Sequence, residues 1–206
     1  MKKSCIALVI FGFFLLSVWG DQPVGDRKIR IPNITYKGPV KTFSCASKQE
    51  ALRKYTPELF PEILKVVSGT AMANANKASG EFWAVAVGDE LAEVDLCWIG
   101  FFSNGLRNIG SSAWENVTLS VTVTISAVNV EKSTSLHVAP FDGMYINPDA
   151  EVSLPIEKPG TYTLLSRPFN MQPNIDYSGQ VLIFLGGKKN NPGGVVGKIS
   201  SIKFVF

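Results

Sequence analysis

Residues 116–130 read NVTLSVTVTISAVNV. Val117, Leu119, Val121, Val123 and Ile125 fall on one parity, and Ser120, Thr122, Thr124 and Ser126 on the other. Side chains alternate across a strand, so this stretch predicts a long β-strand with one buried and one solvated face. An antiparallel sandwich needs that arrangement, because each sheet covers only its inner side.

Reading outward, the same grammar recurs. Glu81–Val87 alternates Phe82, Ala84 and Ala86 against Trp83, Val85 and Val87, and 94–102 (VDLCWIGFF) reads as a central strand. Further strands are expected at 135–139, 150–155, 160–166, 180–185 and 198–206. Pro140, Gly143, Pro148, Pro159, Pro173 and Pro192 punctuate the intervals, as an all-β chain requires. The glycine-rich run 186–197 (GGKKNNPGGVVG) reads as a turn rather than a phosphate loop, since a strand and not a helix follows it.

One segment reads as helical. Ser47 and Glu50 form a capping box, Thr56-Pro57 offers a second helix start, and Leu59, Phe60, Ile63, Leu64 and Val67 recur at helical spacing up to Gly69. The fold expected is an all-β antiparallel sandwich with a short helical insert near 47–68, spanning 45–206 as one domain. Residues 21–44 read as a polar extension in which Ile29 and Ile31 mark a short edge strand closed by Pro32.

The N-terminal MKKSCIALVIFGFFLLSVWG has two lysines, an apolar run and a small residue at Gly20. That is the pattern of a secretory signal over 1–20, too short in its apolar part for a membrane span. Secretion follows as an expectation. Of Cys5, Cys45 and Cys97, the first leaves with the leader, and an oxidising compartment then predicts a Cys45–Cys97 disulfide. Asn33-Ile34-Thr35 and Asn116-Val117-Thr118 are glycosylation sequons if the host glycosylates.

The chain carries 20 Lys and Arg against 17 Asp and Glu; without Lys2 and Lys3 the balance is 18 against 17. With no basic stripe, nucleic acid is not an expected partner. A 46% hydrophobic, 18% charged chain has ample material for a core, which excludes disorder for most of its length.

The long strand at 116–130, the PGTYTL strand at 159–164, the QVLIFL strand at 180–185 and the closing KISSIKFVF at 198–206 together resemble the C-terminal half of jelly-roll carbohydrate-binding modules. The resemblance implies a sandwich that binds a glycan. Sugars stack on aromatic rings while amides and carboxylates take their hydroxyls. Trp114, Tyr145 and Tyr177 are the expected stacking residues, with Asp142, Asn147 and Asn174 as hydrogen-bonding partners; Trp114 and Tyr145 fall in loop-like segments. Trp98 reads as core.

Catalytic patterns are sparse. His137 is the single histidine, which excludes a multi-histidine zinc site, and Gly-x-Ser-x-Gly is absent. His137 reads as a surface or half-buried strand residue. Glu93 and Asp95, in the acidic run 89–95, are the carboxylate pair a glycoside hydrolase would use. Calcium is a possible ligand of that run or of the loop from Asp142 to Asp149, and no other cofactor is implied. The leading expectation is a secreted, non-catalytic glycan-binding protein. The alternatives are a coat, matrix or effector protein that binds other proteins, and a carbohydrate-active enzyme.

Overall fold

The computed structural model describes residues 41–66, 70–88, 97–129, 134–186 and 192–206. The leader, the Ile29–Ile31 strand, Asn33, and Glu93 and Asp95 lie outside the described residues. Thirteen strands and one helix are described: β1 (Thr42–Cys45), α1 (Lys48–Lys54), β2 (Leu59–Val66), β3 (Thr70–Ala75), β4 (Glu81–Val87), β5 (Cys97–Ser103), β6 (Gly105–Asn108), β7 (Trp114–Val128), β8 (Thr134–Phe141), β9 (Val152–Pro155), β10 (Gly160–Leu165), β11 (Phe169–Met171), β12 (Asp176–Leu185) and β13 (Gly193–Val205).

They form two sheets. One runs β1-β6-β12-β5-β2, with β8 on the other side of β12 and β9 beyond it; the second runs β10-β7-β13-β4-β3, with β11 also on β7. All pairings are antiparallel except β1 with β6. The chain is an all-β sandwich, and among the described residues no helix is long and apolar enough to cross a membrane.

The core follows the alternation of 116–130. Val117, Leu119, Val121, Val123 and Ile125 are all buried, and they meet Val181, Ile183 and Leu185 of β12 in one cluster. The sheets pack closely at Gly179, where a Cβ would lie 2.7 Å from Leu119 Cδ1 and 2.8 Å from Ile202 Cδ1. On β13 the buried residues are Gly193, Val195, Gly197 and Ile199, then Ile202 and Phe204. The change of parity coincides with a register irregularity between Ile199 and Ser201. One extra residue there returns the second half of the strand to the inner face. Gly193 to Gly197, read above as part of a turn, opens this strand.

The helical reading of 47–68 holds only for its first part. Ser47 Oγ accepts the Glu50 N–H at 3.2 Å, the N-cap half of the expected box, while Glu50 Oε2 accepts the N–H of Ala46, one residue before the cap, at 2.8 Å. The helix stops at Lys54, and Pro57 follows its end instead of starting a second helix. Leu59–Val66 is a strand, not a helix. It completes the edge of β5, facing it over Leu59↔Ser103 to Val66↔Cys97. Each ladder bond is worth about 1 kcal/mol net, whereas a helix would have to accommodate Pro61. An edge strand tolerates that proline because one side of it donates to nothing. The end of α1 is pinned by Tyr55, whose hydroxyl lies 2.9 Å from the Asn104 carbonyl and 3.1 Å from Ser103 Oγ. Burial pushes the Tyr55 phenol far above its ordinary range.

The Cys45–Cys97 disulfide is not formed: Cys45 is a free, buried thiol. Cys45 pairs with Asn108, next to the Arg107↔Asp176 end of β12, while Cys97 pairs with Leu185 at the other end. Nine residue steps of β12 separate those ends, about 30 Å, whereas bridged Cα atoms must lie within about 7 Å. Burial, and then the Glu50 carboxylate, push the Cys45 thiol pKa up.

Two outcomes follow. Cys45 is expected to resist iodoacetamide in the native protein and to alkylate once it is unfolded; a peptide linking Cys45 to Cys97 in a non-reducing digest would contradict the strand order. Gly80 closes the β3–β4 turn at φ 73°, and a Cβ there would lie 2.3 Å from the Ile199 carbonyl oxygen. Gly80→Ala is therefore expected to lower stability by more than about 1 kcal/mol in urea denaturation.

Candidate functional site

The six side chains expected to hold a glycan do not form one site. Trp114 and Tyr177 are each only 6% exposed. Trp114 stands edge-on to Phe206, with ring centroids 5.5 Å apart. Tyr177 packs on Phe169, and its hydroxyl accepts the Gln172 N–H at 3.0 Å. Both rings belong to the core, which corrects their reading as stacking platforms. Asp142, Tyr145 and Asn147 share one loop, with Tyr145 exposed. Asp142 Oδ1 accepts the Met144 and Tyr145 N–H groups, and Asn147 Oδ1 accepts those of Asp149 and Ala150. These oxygens shape the loop. Asn174 is exposed in the left-handed conformation (φ 62°), and its N–H donates to the Asn108 carbonyl. Asn116 of the second sequon is also exposed. Among the described residues no group of three or more His, Cys, Asp or Glu is placed to hold a metal ion.

The two outer sheet faces differ sharply. On the seven-stranded sheet, the residues of β12 that alternate with the main core are Ser178, Gln180, Leu182 and Phe184, and all are buried. Leu182 and Phe184 cluster with Trp98, with Ile146 packed against them. Gln180 is fully buried, yet its carboxamide makes no hydrogen bond among the described residues. His137 is buried on this face rather than half-exposed. Its Nε2 lies 2.8 Å from Ser135 Oγ and its Nδ1 2.8 Å from Glu151 Oε1, and its ring centroid is 5.0 Å from that of Trp98.

The outer face of the six-stranded sheet is open. Phe82, Ala84 and Ala86 of β4 point into the core, so Trp83 and Val85 point out. Trp83 is 41% exposed and sits in register between Asn74 of β3 and Val196 of β13. Val85 lies between exposed Met72 and Gly194. Glu81 faces Lys198, which faces Thr124 of β7. A shallow hollow of about 710 Å³ runs along one side of Trp83, over Asn74, Glu81, Thr124, Ser126 and Lys198. A second, of about 500 Å³ and more apolar, runs along the other side over Val85, Val128, Pro192 and Val196. Hydroxyl pairs Thr124–Thr161 and Thr122–Thr163, each at 3.1 Å, extend the polar border to β10. An exposed indole flanked by amide, carboxylate, ammonium and hydroxyl groups can stack an apolar ring face while hydrogen-bonding its edge. The sequence pointed to this residue only indirectly: Glu81 shares the parity of Trp83, and a carboxylate marks the solvent side.

No protein-family model matches the chain, and no curated protein matches it. Among solved structures it is similar to the enzymatically active domain of tailspike protein 4 of bacteriophage CBA120, at 10% identity and a TM-score of 0.37, over 71% of this chain and 19% of that one. It is also similar to the arabinose-bound MgGH51 α-L-arabinofuranosidase, at 14% identity and a TM-score of 0.37, over 73% of this chain and 24% of that one. The chain thus spans less than a quarter of either protein, and likeness at this level carries no argument about function.

The buried carboxamide gives a prediction for the closed face. A buried amide without a partner costs about 1–3 kcal/mol, so Gln180→Leu is expected to raise the urea midpoint. A lowered midpoint would show that the amide is satisfied.

Proposed function

We propose that this is a secreted glycan-binding protein whose ligand lies across the outer face of the six-stranded sheet, stacked on Trp83 and bound there without chemical change. The observation that carries the reading is the exposed indole on β4, between a hollow with polar groups on one side and a more apolar one on the other. Soluble proteins bury most of the surface of such a ring, and Trp83 together with the neighbouring exposed Val196 and Met72 forms an apolar patch of the kind that marks a contact surface. Covering on the order of 100 Å² of indole is worth about 2.5 kcal/mol. Asn74, Glu81 and Lys198 supply donors and acceptors of both kinds for sugar hydroxyls.

The test is a glycan-array screen of the purified protein, with and without calcium, followed by titration of the best oligosaccharide. Trp83→Ala is expected to weaken binding on the order of 50-fold, and Tyr145→Ala to leave it unchanged. The reverse pattern would move the site to the 142–147 loop. Binding that needs calcium would also point to that loop and its carboxylates.

A second reading, a self-associating coat or matrix protein, is favoured by one observation. β3 is a sheet edge that pairs only with β4 among the described strands, and Met72 on it is 59% exposed. Concentration-dependent sizing without any glycan would favour that reading over the first.

A further inference from the structure

The hydrogen-bonded chain Ser135–His137–Glu151 lies on the other sheet, and nothing in the glycan-binding reading uses it. Ser135 and His137 are two residues apart on β8 and so share a face. The β8–β9 connection returns Glu151 beside them, two residues before Ser153, which pairs with His137. Ser135 and Glu151 are each half-buried and His137 is buried between them, so the serine is partly open to solvent while the imidazole is shielded.

The bonding order fixes what each group does. A carboxylate only accepts, so the His137 Nδ1 facing Glu151 must carry the ring proton. In the neutral ring Nε2 then keeps its lone pair and accepts the Ser135 hydroxyl proton across 2.8 Å. This is the order nucleophile, base, orienting carboxylate that activates serine in unrelated folds, recognised by geometry and not by sequence position. The edge contact of Trp98 holds the imidazole from the side. Phe184, the cross-strand partner of Ser135 on the same face, packs its ring on Trp98.

We propose that Ser135 is an activated nucleophile that takes an acyl group from an ester, with His137 as general base and Glu151 as a positioning residue. The Ser135 Oγ–carbon bond forms as the hydroxyl proton passes to His137 Nε2. The ester carbon–oxygen bond breaks, and the departing alkoxide takes that proton and leaves as an alcohol. Water then adds to the acyl carbon by the same route, giving a carboxylic acid and free Ser135. Water and the ester are the only reactants, and nothing is oxidised or reduced. The proposal stands apart from the Trp83 face, and either can fail without the other.

A fluorophosphonate probe tests the nucleophile directly. Incubated with the folded protein, it is expected to leave one phosphonyl adduct, located on Ser135 by tandem mass spectrometry and absent when the protein is unfolded first. His137→Gln removes the base and is expected to slow labelling about 100-fold. Glu151→Gln can place an amide N–H toward Nδ1 and reverse the tautomer, so it is expected to slow labelling similarly with the melting temperature retained; Glu151→Asp restores part of the rate. No adduct on Ser135, an adduct on another serine, or unchanged labelling in Glu151→Gln would each overturn the assignment. If His137→Gln does not fold, the wild-type adduct and the two Glu151 variants decide the question.

Discussion

The structure depends on β12 being paired along both edges and buried on both faces. Its DYSGQVLIFL sequence pairs with β8 on one side and with β5 and β6 on the other. Every residue after Asp176 is buried. At its start, Asp176 takes a bidentate contact from Arg107 of β6, Nε–Oδ1 2.6 Å and Nη2–Oδ2 2.8 Å. This pair is partly exposed, so it adds little stability, but its geometry marks one register. A slip by one residue would turn Ser178 and Gln180 toward Leu119 and Ile202 and put a side chain where Gly179 leaves no room for a Cβ. The polar and apolar residues of one strand thus fix which side of its sheet faces the other sheet.

From that constraint the asymmetry of the sandwich follows. With β12 buried on both faces, the seven-stranded sheet behaves as an interior layer, and its outer side carries Trp98, Leu182, Phe184 and the hydrogen-bonded His137. The six-stranded sheet has the one-sided pattern of β7, apolar within and hydroxyl-bearing without. Its outer face is therefore the broad open surface of the described residues, and Trp83 is the aromatic placed on it. The two proposals occupy opposite sides of the molecule because each side offers different chemistry: an accessible stacking ring on one, a shielded serine–imidazole–carboxylate chain on the other.

Much of the fold could be read from local pattern. The alternation of 117–125 and of Glu81–Val87 survives unchanged, because each of those strands presents its own contrast between faces. What escaped was set by distant partners. Leu59–Val66 has helical spacing and becomes a strand because β5 offers it an edge. Thr70–Ala75 alternates mostly small residues, which carry almost no hydrophobic contrast. Trp114 and Tyr177 looked like binding rings until Phe206 and Phe169, remote or several residues away in sequence, covered them. The separation of Cys45 from Cys97 follows from the order of strands, which no spacing reveals. Trp83 was readable as facing opposite to Phe82, but which of the two faces water depended on the second sheet.

Fluorescence of single-tryptophan variants tests the asymmetry most directly. A variant that keeps Trp83, with the other tryptophans replaced by phenylalanine, is predicted to emit at long wavelength and to be quenched readily by acrylamide. A variant that keeps Trp98 is predicted to emit at short wavelength and to resist quenching. A shielded Trp83 together with a freely quenched Trp98 would contradict the assignment of the open and closed faces, and with it the location of the binding surface.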